Sequence, residues 1–285
     1  MTNSDIENKN MRGNEYYLYR IKFIKPAQVS LFDSFLTPQQ MFERGLAERP
    51  SLDGRASNVW HIANVEHITA DAGRFAVGRI TKTTVEKYDF SSGDFTELID
   101  DSGPYTFVYF DSAIGLLGIA RKARVANDVE SIARNIQRLL ASTSLVKETG
   151  FEVRVDKIPD PLGFLQKIYG AYAIKRFKAN FTGPNPIDAD ALFQRPMSYY
   201  GQQLGADQGS VSVSGAALNE DAVAAVAKST AATGNGASAL IQEEKGGSTT
   251  YISFRGDASR VQVDADTDKE RTLRIIQTAY REVRG

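Results

Sequence analysis

The stretch Tyr16–Ile24, YYLYRIKFI, decides the fold. Tyr17, Tyr19, Ile21 and Phe23 fall on one side of an extended chain, and Arg20 and Lys22 fall on the other. A two-residue alternation of this kind predicts a half-buried β-strand. The apolar side faces a core, and the expectation for Arg20 and Lys22 is a wet basic side. Working outward, NVWHIANVEHITADAGRFAVGRITKTTVEKYD (58–89) holds two apolar-rich runs flanking a hairpin-length connection at Asp71–Gly73. SSGDF (91–95) reads as a turn, and YTFVYFDSAIGLLGIARKARV (105–125) repeats the design, with Asp111 and Gly115 marking a tight turn.

Helices punctuate these strands. Thr37 followed by Pro38 opens a short helix over 37–48, since proline is tolerated at a first helical position. Val129, Ile132, Ala133, Ile136, Leu139 and Leu140 mark one face of a second helix, with Asn127 and Glu130 in a capping-box pattern. FEVRVDKI (151–158) is a strand and DPLGFLQKIYG (160–170) a short helix. YAIKRFKANFTGPNP (172–186) is again a strand, ending at Gly-Pro-Asn-Pro. In it Ala173, Phe177, Ala179 and Phe181 form the apolar face, interrupted by Lys175, while Arg176, Lys178 and Asn180 form the other. From Gly201 the composition shifts to Gly, Ala, Ser and Gln, with a weak alanine-rich helix at 219–232 and two strands around Lys245-Gly246-Gly247. A long helix from Asp266 closes the chain, with a capping box at Thr267 and Glu270. The order predicts an α+β fold: a mainly antiparallel sheet with helices on one face, plus a smaller C-terminal α/β unit. The expected divisions are a disordered lead-in over 1–14, a main domain over 15–200, and a second unit over 201–285.

Composition narrows the function classes. The chain has 285 residues, 42% hydrophobic and 24% charged, which is ordinary for a globular protein with a sizeable core. No run of about 18 apolar residues exists, so membrane insertion is not expected. The polar start lacks a signal h-region, and the absence of cysteine fits a reducing cytoplasm and removes thiolate metal sites. Net charge is −1, which excludes a globally basic nucleic-acid binder but not a local basic patch.

Catalytic signatures are missing. There is no phosphate loop, dinucleotide-binding glycine loop, nucleophile elbow or zinc helix. His61 and His67, six residues apart on one strand, fall on the same face and too far apart to share a metal. No catalytic residue, metal site or cofactor is expected. Two carboxylate groupings remain as possible nuclease remnants: Glu152 with Asp156, and Glu243–Lys245, where a carboxylate would hold Mg²⁺ beside a lysine.

The cations are more informative together than singly. Arg20 and Lys22, Arg176 and Lys178, and the run Arg121, Lys122 and Arg124 give two basic strands and a basic loop, the expected nucleic-acid contacts. Such a surface tracks phosphates without reading bases. Tyr16 and Tyr172 on these basic faces offer stacking. Arg134 and Arg138 lie on the polar face of the 129–140 helix, and Lys269, Arg271, Arg274, Arg281 and Arg284 load the terminal one. Leu273, Ile276, Tyr280 and Val283 step along that terminal helix as a narrow seam, from which a homodimer is expected.

Over roughly 105–285 the order of elements resembles RexA-like phage-exclusion proteins and, more loosely, the KwaB proteins of Kiwa defence systems. The strand–turn–strand ending GIAR, the amphipathic helix, FEVRVDKI, a short helix, the basic strand and a small unit closed by a helix carry the likeness. The resemblance implies a non-enzymatic, usually dimeric DNA-binding component of anti-phage defence or abortive infection. Arg176 and Lys178, with Arg121, Lys122 and Arg124, would then be phosphate contacts. The near-neutral charge and the Gly/Ala/Ser-rich segment depart from that pattern. Three classes stay open at this point: a double-stranded DNA binder, a metal-dependent nuclease, and a protein-interaction subunit of a defence complex.

Overall fold

The computed structural model describes residues 13–24, 36–53, 58–182, 189–206, 208–254 and 257–285. Most of the expected lead-in and the Gly-Pro-Asn-Pro segment (183–186) lie outside the described residues. The fold is α+β, with every strand pairing antiparallel.

The first half builds a curled sheet from β1 (Asn14–Ile24), β2 (Ser51–Asp53), β3 (Val59–His67), β4 (Ala72–Asp89), β5 (Asp94–Ser102), β6 (Tyr105–Asp111) and β7 (Leu116–Ala120). Helix α1 (Pro38–Ala47) leaves β1 with the full capping box of Thr37 and Gln40. Next come α2 (Val129–Ala141), α3 (Ser144–Thr149) and β8 (Glu152–Lys157), which returns to pair with β1. All six apolar positions expected on α2 are buried. Its N-cap is Asp128, accepting from Ser131 N, rather than Asn127, because two adjacent residues can both cap. β4 is unusually long: residues 72–80 belong to the sheet, while 81–89 pair only with β5 as a two-stranded arm.

The second half builds a four-stranded sheet. Its elements are α4 (Leu162–Tyr169), β9 (Ala173–Thr182), α5 (Gln194–Gln203), β10 (Gln208–Ser214), α6 (Glu220–Ala232), β11 (Ala237–Gln242) and β12 (Thr249–Ser253), in strand order β10-β9-β11-β12. The chain then returns to the large sheet. β13 (Arg260–Val263) pairs with the start of β1, and α7 (Lys269–Arg284) packs beside it. The two sheets do not divide at residue 200. β9 is an inner strand of the small sheet although it precedes residue 200, and β13 and α7 belong to the large one.

β1 is the hub, paired with β7 along one edge and with β13 and β8 along the other. Tyr19, Ile21 and Phe23 enter the core under α1 and α2, as the alternation implies. Tyr16 and Leu18 enter a second core, under α7, with Leu273, Ile276, Tyr280 and Val283. Helices thus cover both faces of the large sheet rather than one. Two expectations fall here. The four-residue seam of α7 is buried against its own sheet, so it offers no free face for a homodimer. Tyr16 is buried edge-on against Tyr109, not displayed for stacking. The α7 N-cap is Asp268 rather than Thr267. In β3 a bulge adds one residue between Ala63 and Glu66, where Asn64 has φ 50°, so His61 and His67 lie on opposite faces rather than one.

A candidate nucleic-acid interface

Arg20 and Lys22 are 0% and 3% exposed, which overturns their expected place on a wet surface. The alternation of β1 is real, but the second half of the chain covers its other face. Lys22 Nζ donates to Asp156 Oδ2 at 3.1 Å and to Thr182 Oγ1 at 3.0 Å. Arg20 donates to the carbonyls of Ala232 and Ile114 and to Tyr280 Oη, with its guanidinium 4.9 Å from the Tyr280 ring centre. Burial lowers the Lys22 pKa to about 8, and the Asp156 carboxylate opposes that shift. These two cations join the sheets and do not reach a ligand.

Arg176 and Lys178 are exposed, as expected. Phe177, Ala179, Ala239, Ile241 and Ile252 face α4 and α6 in the third core. Among the described residues the opposite face of the small sheet is open. Register sets its rows across the strands: Ser212–Lys178–Ser238–Ser253 in one, Ser214–Arg176–Leu240–Tyr251 in the next, and Ser210–Asn180 beside them. No aspartate or glutamate occurs in any of the four strands. Arg176 Nε donates to Ser214 Oγ at 3.3 Å, and neither cation makes an ion pair among the described residues. Lys175, which interrupted the alternation, is the extra residue of a bulge. Opposite it, Leu240–Ile241 advances one residue while Arg176–Ile174 advances two. Beyond the bulge Ile174 turns inward, so the core face continues.

The open face ends in a wall. β8 runs across its Asn180 end, and on that face of the large sheet Arg154 stands opposite Lys22 and Asp156 opposite Arg20. The resulting pocket holds about 370 Å³ and is lined by Arg154, Asp156, Asn180, Thr182, Gln208 and the Gly234–Gly236 turn, among others. Gly234 has φ +71°, and a Cβ there would lie 3.1 Å from Asp156 Cβ and 3.4 Å from Arg20 Cβ, so only glycine fits without strain. Behind the pocket a hydrogen-bonded chain runs from Lys22 through Thr182 to Asn235, and from Asn235 Nδ2 to Gln194 Oε1. Arg154 is the residue that sequence reasoning missed. Its signal was present in FEVRVDKI, where it alternates with Val153 and Val155.

The other expected residues are not brought to this face. Arg121, Lys122 and Arg124 are exposed on the loop after β7, where Arg121 N donates to Glu15 O and Lys122 Nζ sits 4.9 Å from the Tyr105 ring centre. Glu15 lies seven residues along β1 from Lys22, about 23 Å at the strand rise. They form a separate basic loop. Tyr172 is exposed just before β9. Glu152 and Asp156 stand four residues apart, and Asp156 is engaged by Lys22 while Glu152 lies 3.6 Å from Arg154 Nε. Glu243, Glu244 and Lys245 are exposed in the β11–β12 turn. Among the described residues no group of three or more His, Asp or Glu converges as a metal site. No helix among them is long and apolar enough to cross a membrane. No protein-family model matches the chain, and no curated protein matches it.

Proposed function

We propose that this protein binds the phosphate backbone of duplex DNA, without sequence preference, on the open face of the β10-β9-β11-β12 sheet. One observation carries the reading: Arg176 and Lys178 project from a solvent-exposed sheet face whose four strands contain no carboxylate. Cations without acidic neighbours are held at no cost in competing ion pairs, so phosphates meet them at full strength. The surrounding serines are small and polar, which lets a backbone approach closely. Tyr251 is the one aromatic on the face, whereas readers of single strands stack several bases. Duplex is therefore favoured.

Its role in anti-phage defence or abortive infection, beside a partner defence protein in the cytoplasm, follows from the likeness over 105–285 to RexA-like proteins. Self-association through α7 forms no part of this reading, because the seam of that helix is already occupied. The test is fluorescence anisotropy with two unrelated duplexes across a salt series. Binding should weaken steeply with salt and equally for both duplexes. Arg176→Ala with Lys178→Ala should flatten the slope of log affinity against log salt by roughly 2. An unchanged slope in the folded double variant would mean that this strand is only solvated.

A further inference from the structure

The open face does not run out into solvent at both ends. At its Asn180 end β8 closes it, and the pocket there differs in chemistry from the track that leads to it. The track offers cations and hydroxyls; the pocket adds the side-chain amides of Asn180 and Gln208, which make no hydrogen bond among the described residues. Amides of this kind offer a donor and an acceptor side by side, the pattern that pairs with a base edge. Arg154 supplies a planar fork for a phosphate, and Glu152, its neighbour at 3.6 Å, is largely exposed and free to yield it. Glycines 209, 234 and 236 line the pocket without side chains. The charge of Asp156 is met by Lys22, whose pKa near 8 leaves it largely protonated at neutral pH. On this face three cations, Arg20, Lys22 and Arg154, stand against Glu152 and Asp156.

We infer that this pocket binds a single nucleotide, its phosphate on Arg154 and its base edge on Asn180 and Gln208. About 370 Å³ lies at the small end of ligand-pocket volumes and is scaled to one nucleotide rather than to a dinucleotide. The nucleotide has two possible sources: a free nucleoside monophosphate, or the last nucleotide of a DNA strand lying along the track. The second source rests on the duplex reading above; the first does not.

The experiment measures deoxyadenosine monophosphate by calorimetry, and end-bearing linear duplex against covalently closed circles of the same sequence by anisotropy competition. Binding of the monophosphate, or a preference for linear over closed DNA, is expected. Arg154→Gln should weaken whichever is found by about 10-fold, the loss of one charge-assisted contact. Asn180→Leu should do so as well. Neither residue is in a core, so both variants should fold. Monophosphate binding without any duplex binding would keep this inference and sink the track. Salt-dependent duplex binding with no monophosphate binding and no preference for ends would keep the track and overturn the inference. Monophosphate binding or end preference that is indifferent to both Arg154→Gln and Asn180→Leu would overturn it too.

Discussion

Lys22 shows how much a residue's surroundings decide its chemistry. The same lysine on an open strand would hold its ordinary pKa and contribute nothing to folding. Here burial lowers it to about 8, and the charge and hydrogen bond of the Asp156 carboxylate oppose that fall. The unfolded chain binds this proton up to about pH 10.4, the folded chain only up to about pH 8. Between those values the unfolded state holds more protons, so stability from this group rises with pH. The penalty is fully present below pH 8 and is relieved through the window above it. A fall to about 8 from the ordinary lysine value corresponds to roughly 3 kcal/mol. Lys22→Met removes the titrating group, so its urea stability should lack this rise. Chemical denaturation of both proteins between pH 7.5 and 10 tests it: the wild type should gain on the variant as pH increases. Parallel curves would show that Lys22 titrates normally. At neutral pH the variant also leaves Asp156 without its lysine, but that carboxylate is partly exposed and water can serve it.

Elements bring in constraints that no single residue reveals. α7 reaches its place because Gly118 in the middle of β7 lacks a side chain: a Cβ there would lie 2.9 Å from two carbons of Ile276. Gly118→Val should therefore overpack this contact and cost about 1–3 kcal/mol, read as a lower urea midpoint with an unchanged m-value. A midpoint equal to wild type would mean that α7 docks less closely. The arm formed by residues 81–89 of β4 with β5 is the opposite case, since neither strand meets a third strand there. Phe90 and Phe95 are 92% and 83% exposed near its tip, each edge-on to Tyr88 at 5.1 and 5.2 Å. Exposed aromatics grouped in this way form an apolar patch on the surface. Phe90→Ser with Phe95→Ser should leave thermal stability within about 1 kcal/mol of wild type while reducing the binding of an apolar dye, because surface changes away from a core have small effects. A large loss of stability would place the tip in a core. The elements themselves were legible where local pattern suffices: the six-residue face of α2, the Thr37 cap and the 105–120 hairpin all stand as read. Both caps that shifted did so by one residue, at Asn127–Asp128 and Thr267–Asp268, where neighbours compete for one role. Alternation told which side Arg20 and Lys22 occupy, but not that residues 156, 182, 232 and 280 would close over them. Arg176 and Lys178 were legible because nothing distant intervenes. The pocket was not, since its walls come from four separated segments.

At the scale of the whole molecule the two sheets are interleaved rather than strung in series. The chain completes most of the large sheet, builds the small one, then returns through β13 and α7 to close the first. Arg20 and Lys22 lie at the crossing, bonded to the ends of α6 and β9, and Tyr280 of α7 meets Arg20 there. A polar junction of this kind holds only if all its partners are present, because a buried cation left without them is costly. The change of composition at Gly201 therefore coincides with no break between the two sheets. A fragment covering 201–285 would keep β10, β11 and β12 but lose β9, the strand that pairs with both β10 and β11. Its α7 would keep α6 and β13 but lose Tyr16, Leu18, Tyr109 and Leu116, which share a core with Leu273, Ile276, Tyr280 and Val283 in the intact chain. With the centre of its sheet and most of the core around its last helix missing, the fragment should not fold. Circular dichroism and amide-proton dispersion of residues 201–285 should show an unfolded or molten chain, while the full protein unfolds in one cooperative transition by two probes. A dispersed spectrum and a sharp melting transition from the fragment would restore the boundary at residue 200 and remove the junction from any role in holding the molecule together.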